Sequence, residues 1–433
     1  MKKLISAMIV LLAAFGFGTA ANAEADLQQL IDETSAGEVL LLDAKEYAGN
    51  VIISRPITIK GKKGTVIRGS EAGNVLAVEA DGTVLQQLQI KETGFDRNSG
   101  EEYAAIKLKS NGNTVKDITI TDSFHGVYLS QSHDNKIENV RVTGMKNGEV
   151  AGQGNGIHLY YSNANKLIDN EIEGTRDGIF FDYSNDNEVV KNRISHTRYG
   201  LHYMYSNDNT FLENIFTYNI GGAAVMHSDR IELRENEFSL NQGTRSFGLL
   251  LQSSNRNIVN DNTFFQNQRG LFIDQSTNNR ISDNKIFQNQ IGIELWSSSR
   301  DQVFTKNRFT GNTAEVITLG GDASNKWSDN GEGNYWGNQR LFDLNQDGVG
   351  DRPIEYKSAI YQLIEENELA YLFLKSPAIG VFEKMNEIVS KQKVMVVDEH
   401  PLIHREGKGL FAWNTAGVLT GALLLFWYRR WKK

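Results

Sequence analysis

Short alternations of apolar and polar residues follow one another along most of the chain and repeat with a constant period. A segment of the type G-x-x-x-x-x-S-x-x-N, complete or degenerate, recurs in steps that are mostly 22 residues long, with a 30-residue and a 26-residue coil in between. Strand-type alternation with a fixed period of this size is typical of a solenoid. The pattern therefore predicts a right-handed parallel β-helix. Its repeats start at Ala104, Gly126, Gly156, Gly178, Gly200, Gly222, Gly248, Gly270 and Gly292.

Stacking of coils turns each repeat position into a column of side chains roughly 4.8 Å apart. Apolar residues one and three positions after each repeat glycine predict the core, so the residues two and four positions after it point outward. Asparagines at equivalent positions are expected to hydrogen-bond along the stack and to supply left-handed corners. One such column holds Asn165, Asn187 and Asn209, and a second holds Asn170, Asn192, Asn214 and Asn236.

The outward positions carry almost no Lys or Glu, which predicts a binding surface unless a C-terminal segment folds back over it. His202 and Met204 lie on one predicted strand, and Met226 occupies the column of Met204 one coil later. His227 follows at the strand end, where a kink would bring it into the group. Two thioethers and an imidazole form a soft, neutral ligand set that suits Cu(I) better than calcium or magnesium. The alternative is that the methionines pack against neighbouring aromatic rings.

A second candidate metal site lies in the segment DLNQDGVGD. Asp343, Asn345, Asp347 and Asp351 supply oxygens at positions 1, 3, 5 and 9, with glycine at position 6. This spacing matches the first part of a calcium loop, but Ile354 stands where the bidentate glutamate belongs. The segment is compatible with Ca²⁺ or with a plain Asx-rich turn.

Both ends of the chain carry targeting signals. Two lysines, an apolar run and the sequence Ala21-Asn22-Ala23 predict an export signal peptide. An apolar stretch at 410–428, followed by four basic residues, predicts a C-terminal membrane helix with a cytoplasmic tail. The predicted organisation is a signal peptide (1–23), a β-helix with an N-terminal capping helix (24–320), a loop-rich closing segment (321–356), a helical arm (357–408) and a membrane anchor with a basic tail (409–433).

Composition narrows the chemistry that these elements can support. The net charge of −8 gives no overall attraction to nucleic acid. The absence of cysteine excludes disulfides, catalytic thiols, zinc–cysteine sites and iron–sulfur clusters. Any metal site must therefore use His, Met, Asp, Glu or main-chain oxygen.

Several strings carry a resemblance to a known family: YGLHYMYSNDNTFLEN, GGAAVMHSD, FGLLLQSS, RGLFID and GNYWGNQRLFDLNQDGVGDRPIEY. Through them the chain resembles the NosD family of nitrous oxide reductase maturation proteins, within a wider group of β-helical carbohydrate-binding and sugar-hydrolase repeats. The resemblance implies a non-enzymatic periplasmic protein of denitrification that binds copper. It further implies work with an ABC transporter membrane subunit, copper uptake from a chaperone lipoprotein, and assembly of the copper centres of nitrous oxide reductase. The matched strings place metal handling at His202, Met204 and Met226, whereas the C-terminal membrane helix departs from the family pattern.

Two other functions use the same predicted fold. A polysaccharide lyase, hydrolase or epimerase would need paired carboxylates or a carboxylate-bound cation beside a basic residue. Asp182 and Asp274 share an outward column but are separated by four coils, so they do not form such a pair. A glycan-binding structural solenoid, which uses its aromatic face for stacking, is the second alternative.

Overall fold

The computed structural model describes residues 26–95, 101–145, 150–243, 245–321, 324–337 and 339–403. The predicted signal peptide (1–23) and the predicted membrane anchor (409–433) lie outside the described residues. Within the described ranges, no helix is long and apolar enough to cross a membrane.

A parallel β-solenoid of right-handed type makes up most of the described chain, and its 22-residue coil spacing confirms the prediction from the repeat. One side, here called the face sheet, pairs residues 22 positions apart, as in Ile157 with Ile179. Among the described residues it contains twelve parallel strands. These are Val51–Ile53, Leu76–Val78, Ala104–Leu108, His125–Ser130, Ile157–Tyr160, Asp177–Asp182, Tyr199–Met204, Gly221–Met226, Phe247–Gln252, Arg269–Asp274, Ile291–Trp296 and Ala314–Leu319.

The other two sides of the coils form a single sheet of 23 described strands, here called the back sheet. The sides are joined because the long strands Thr114–Thr121 and Lys136–Thr143 each continue across the bend between them. The remaining strands are Val39–Leu42, Glu46–Ala48, Thr58–Gly61, Val66–Arg68, Val84–Gln86, Gln89–Lys91, Lys166–Ile168, Glu171–Glu173, Glu188–Val190, Arg193–Ser195, Thr210–Leu212, Ile215–Thr217, Glu232–Arg234, Glu237–Ser239, Ile258–Asn260, Thr263–Phe265, Arg280–Ser282, Lys285–Phe287, Val303–Thr305, Arg308–Thr310 and Tyr335–Trp336.

The core runs along the solenoid axis as stacked columns. The residues one and three positions after each repeat glycine are fully buried, as predicted; Leu201 and Tyr203 are examples. From the back sheet, Phe216, Phe238 and Phe264 add a stack of rings with centroids 5.2 and 5.0 Å apart. Identical environments repeat from coil to coil, which is why the sequence repeats as well.

Buried asparagines connect successive coils, and this confirms the predicted columns. In the longest column each side-chain amide donates to the next side-chain oxygen at 2.8–3.1 Å. The asparagines themselves do not adopt the left-handed conformation, contrary to the expectation. The residue before each one except Asn334 does, as at Lys191 and Glu213. The backbone N–H of the asparagine donates to the asparagine of the next coil, as from Asn192 to Asn214. The column comprises Asn170, Asn192, Asn214, Asn236, Asn262, Asn284, Asn307 and Asn334.

A short helix, α1 (Leu27–Glu33), lies against the first face strand. Asp26 caps it by accepting from the backbone N–H groups of Gln28 and Gln29. The Gln28 amide also pairs with the backbone of Ile52, at 3.0 Å to its carbonyl and 2.8 Å to its N–H. Leu27 and Ile31 are buried. The helix therefore satisfies backbone groups at a sheet edge that would otherwise be open to pairing.

The C-terminal part of the described chain covers the other end of the solenoid. The antiparallel strands Ile354–Ser358 and Lys393–Asp398 flank two helices, α2 (Ile360–Glu366) and α3 (Pro377–Ile388), with a 3₁₀ turn at Glu368–Phe373 between them. A further 3₁₀ turn, Val150–Gly152, lies in the 30-residue coil. We call residues 359–392 the arm.

Glu315 replaces a repeat glycine in the last face strand and ends one asparagine column. It accepts a hydrogen bond from Asn312, and its backbone N–H donates to the Tyr356 hydroxyl at 2.9 Å. Its Oε1 has no partner among the described residues. Burial raises the pKa of Glu315 to about 7, although the hydrogen bond from Asn312 acts in the opposite direction. The folded protein therefore favours the neutral acid at this position.

Replacing Asn192 by Ala should lower the free energy of unfolding by about 3 kcal/mol or more, since it leaves buried groups on two neighbouring coils without partners. The side-chain N–H₂ of Asn192 donates to the side chain of Asn214 and to the carbonyl of Leu167, and its side-chain oxygen accepts from Asn170. Asn260→Ala, at a half-buried outer position of the back sheet, should cost less than about 1 kcal/mol. Urea unfolding of both variants compares them, and equal losses would show that the column is not stabilising.

Glu315 should make the protein less stable as pH rises. A carboxyl whose folded pKa of about 7 exceeds its usual 4.5 binds more protons folded than unfolded, so its contribution is largest below pH 4.5 and decreases toward pH 7. Between these limits wild type should lose up to about 3 kcal/mol relative to Glu315→Gln. Urea unfolding at pH 4.5, 6 and 8 measures the difference, with Glu188→Gln, an exposed member of an ion pair with Lys166, as the control. Parallel pH profiles for wild type and Glu315→Gln would contradict the assignment.

Candidate functional site

The face sheet presents three columns of side chains to the outside, one more than predicted. Its strand register pairs Asp177 with Tyr199 and Ile179 with Leu201 but has no pair at the repeat glycine between them. The repeat glycine itself faces the core, since a Cβ at Gly200 would meet Phe216 and Asn219, and this interrupts the alternation. The residue before each glycine therefore points outward, together with the residues two and four positions after it.

His202 is held in a fixed orientation by a buried carboxylate. Its Nδ1 lies 2.9 Å from Oδ2 of Asp177, and Arg198 contacts the same carboxylate at 2.9 and 2.6 Å. Burial by itself would raise the pKa of Asp177, but the hydrogen bonds from His202 and Arg198 outweigh it and lower that pKa. Because an ionised carboxylate only accepts hydrogen bonds, Nδ1 of His202 is the donor in this contact, and Nε2 is the ring nitrogen that remains for a metal ion.

Met204 and Met226 are direct neighbours in the strand register, so the structure brings the two thioethers into the same outward column, roughly 5 Å apart at their backbones. Both are half-buried. Met226 packs against the cluster of Ala224, Phe247 and Leu250. His202 lies two residues before Met204 on the same strand and on the same face.

His227 occupies a different place from these three residues. It adopts a left-handed backbone with φ of 50° at the corner after the strand and is exposed. Its ring stacks on Tyr205 at 5.2 Å, as the last member of a column in which Tyr161, Tyr183 and Tyr205 stack at 4.8 and 5.1 Å. The described backbone therefore directs His227 into this aromatic column, and a contribution to the metal site stays a prediction.

The N-terminal end of the outward face is covered. Lys107, Tyr128 and His158 follow one another in a single outward column and are all buried. Glu102 lies across them, with its carboxylate 2.6 Å from Nε2 of His125. The predicted open surface therefore does not extend to these coils.

The arm covers the C-terminal end of the same face, as the alternative of a folded-back C-terminal segment required. Tyr371 donates its hydroxyl to Glu294 at 2.7 Å, and Glu365 accepts from the backbone N–H of Gly320 at 2.8 Å. Glu294 also forms a buried ion pair with Arg269 at 3.2 Å. The open part of the face is thus confined to the middle coils, where His202, Met204 and Met226 lie.

A cleft of about 970 Å³ opens where the arm meets the face sheet. It begins beside the methionines, because Gln252 on its wall is the register neighbour of Met226. A partner that reached into this cleft would lie next to the thioethers. The lining residues are Tyr199, Arg245, Phe247, Leu250, Gln252, Arg269, Phe272, Glu294, Trp296, Leu319, Gly320, Gly321, Ile364, Glu365 and Tyr371.

The predicted calcium segment forms a compact turn. Asp343 accepts from the backbone N–H groups of Asp347 and Gly348, each at 3.0 Å, and Asp351 accepts from that of Leu344 at 2.9 Å. Asn345 donates to Asp347 at 2.9 Å. These are the hydrogen bonds of an Asx-rich turn. In the described residues no three His, Cys, Asp or Glu side chains are grouped as a metal site, and Ca²⁺ binding stays a prediction.

The strand register also tests whether two outward carboxylates could form the catalytic pair of a carbohydrate-active enzyme. Asp182, Met204, Met226, Gln252 and Asp274 are successive neighbours in one column. Asp182 and Asp274 are therefore four strands apart, as the repeat predicted, and are too distant to act as an acid–base pair.

Asp177 and Arg198 were not predicted as site residues. Strict alternation from the repeat glycine assigns Asp177 to the core side, and only the skipped glycine in the register turns it outward. A signal was present, since the column before the glycine holds His125, Asp177, Tyr199 and Arg269, and Ile291 is its one aliphatic side chain. His158, whose Nε2 is buried without a partner in the described part of the chain, belongs to the covered part of the face.

Comparison with known proteins supports a specific relationship. Residues 143–340 match the family model described as periplasmic copper-binding protein (NosD). A curated relative, the probable ABC transporter binding protein NosD of Stutzerimonas stutzeri, is 31% identical over 108 residues. This match covers 25% of the present chain and about a quarter, 24%, of the relative. Both matches therefore concern a part of the chain and not its whole length.

Solved structures share the fold at low sequence identity. The A-module of the mannuronan C-5 epimerase AlgE4 from Azotobacter vinelandii is 13% identical with a TM-score of 0.55, covering 69% of this chain and 94% of the module. The alginate lyase AlyF-OU02 is 13% identical with a TM-score of 0.49, covering 69% and 84%. At such identities the likeness concerns the fold alone. The family match, by contrast, spans His202, Met204 and Met226, so the part of the chain that contains these residues is similar to the NosD family.

Proposed function

We propose that this protein is an exported, non-enzymatic copper-handling protein that binds Cu(I) at His202, Met204 and Met226. The observation that carries the proposal is the adjacency of the two methionines in the register beside a histidine whose Nδ1 is fixed by Asp177. Thioether and imidazole donors favour Cu(I). A carboxylate behind the histidine is the usual arrangement at histidine metal ligands, because it fixes the ring and increases its basicity.

The open position of the site fits a role in transfer. His202, Met204 and Met226 are each partly exposed in the middle coils, between the covered N-terminal coils and the arm. A copper ion there can exchange ligands with a second protein without unfolding of the solenoid. We infer that a chaperone lipoprotein supplies copper, and that the protein works in the extracytoplasmic space toward the copper centres of nitrous oxide reductase.

The arm offers a surface for the proposed ABC transporter partner. Its outer side carries large apolar residues that are more than half exposed, and such patches mark interaction sites. We place contact with the membrane subunit of the transporter here. The exposed residues are Leu369, Leu372, Phe373, Val381, Met385 and Ile388.

Met204→Leu and Met226→Leu should each weaken Cu(I) binding by at least about tenfold, because each removes one soft donor while nearly conserving volume. Anaerobic titration of the full chain with Cu(I) against a chromogenic chelator measures the affinity. Met385→Leu, at a methionine that is 62% exposed on the arm, is the matched control and should bind like wild type. Unchanged affinity in both site variants would show that copper binds elsewhere.

Asp177→Asn should weaken Cu(I) binding by roughly 10- to 100-fold, the usual cost of losing an outer partner of a metal-bound histidine. The same titration measures it. Asp208→Asn changes another Asp–Arg pair, formed with Arg230, but touches none of the proposed ligands and should leave the affinity unchanged. Equal affinity for Asp177→Asn and wild type would show that the contact between Asp177 and His202 does not contribute to copper binding.

A further inference from the structure

One carboxylate beside the proposed copper ligands has no partner among the described residues. Asp182 is the register neighbour of Met204 on the side opposite Met226, so the three side chains are consecutive in one outward column. Its backbone carbonyl is engaged by Ser184 and Tyr161. Asp182 is partly buried, and nearby charges are therefore less screened than in water.

The arginine beside His202 is already committed to another carboxylate, since Arg198 contacts Asp177 at 2.6 Å. The middle of the face thus contains a partly desolvated negative charge that the described side chains do not neutralise.

A bound Cu(I) ion would supply the missing positive charge. The three proposed ligands are neutral, so the ion would retain its full unit charge, and the backbones of Asp182 and Met204 are only roughly 5 Å apart. We propose that Asp182 is the charge partner of the copper site, acting through space on the bound monovalent cation. This inference rests on the proposed function for the identity of the cargo.

Asp274 provides a matched control on the same column. It occupies the equivalent position three coils after Met204, is likewise partly buried, and accepts a hydrogen bond from Ser298 at 3.0 Å. Substitution of Asp by Asn is closely isosteric at both positions. The two variants therefore differ mainly in the distance of the deleted charge from the thioethers.

The test is a Cu(I) titration of the full chain against a chromogenic chelator at low and high ionic strength. Asp182→Asn should bind about tenfold or more weakly at low salt, whereas Asp274→Asn should bind like wild type. Wild-type affinity should fall as ionic strength rises, because salt screens the attraction. The affinity of Asp182→Asn should change much less, and Asp182→Glu should restore most of the salt dependence.

The outcomes separate this inference from the proposed function. Wild-type binding that depends on Met204 and Met226 but is unchanged in Asp182→Asn would overturn the charge-partner role and leave the copper site intact. A loss of affinity in Asp182→Asn with undiminished salt dependence would also overturn it, since the charge would then not be the cause. Failure of wild type to bind Cu(I) would refute both.

Discussion

The hydrogen bonds between buried asparagines of successive coils are the constraint on which the rest of the structure depends. Each amide both donates to and accepts from its neighbours, as at Asn192, so a slip of one residue between coils would break the column. It would also turn core residues outward, because side chains alternate along a strand. The register of the whole solenoid is therefore held from within. Met204 and Met226 are adjacent only because asparagines on other sides of the same coils hold those coils in place.

Much of this arrangement is readable from the sequence, since a solenoid converts spacing along the chain into distance in space. The 22-residue period predicts the coils, the asparagine columns and the core positions, and it places Met204 beside Met226 without any other information. The same period separates Asp182 from Asp274. The period predicts only which residues at equivalent positions of successive coils lie side by side. Contacts between different columns, such as that of Asp177 with His202, require the exact direction of each side chain.

Those directions depend on local irregularities that a strict alternation omits. The register skips the repeat glycine, which turns Asp177 outward and creates the third outward column. His227 is assigned to the corner by its left-handed backbone, a conformation that nothing in its residue type demands. The arm that covers one end of the face is also distant from it in sequence, since Tyr371 hydrogen-bonds Glu294 across 77 residues. A period of 22 carries no information about such a contact, and the extent of the open face therefore becomes clear only in the folded molecule.

The charged side chains of the middle coils fall into two groups. One group holds the scaffold in place, and the other is available to the ion that we propose binds there. Arg198 and His202 share the carboxylate of Asp177, so the interactions that orient His202 need no bound ion. The soft donors are neutral, and Asp182 provides the only negative charge next to Met204 in this column of described residues. Attraction through space lacks the geometric demands of a coordination bond. Under the proposed function, a Cu(I) ion would be drawn to the face by Asp182 and selected by the thioethers. Its release by ligand exchange would then require no change in the hydrogen bonds that hold the coils together.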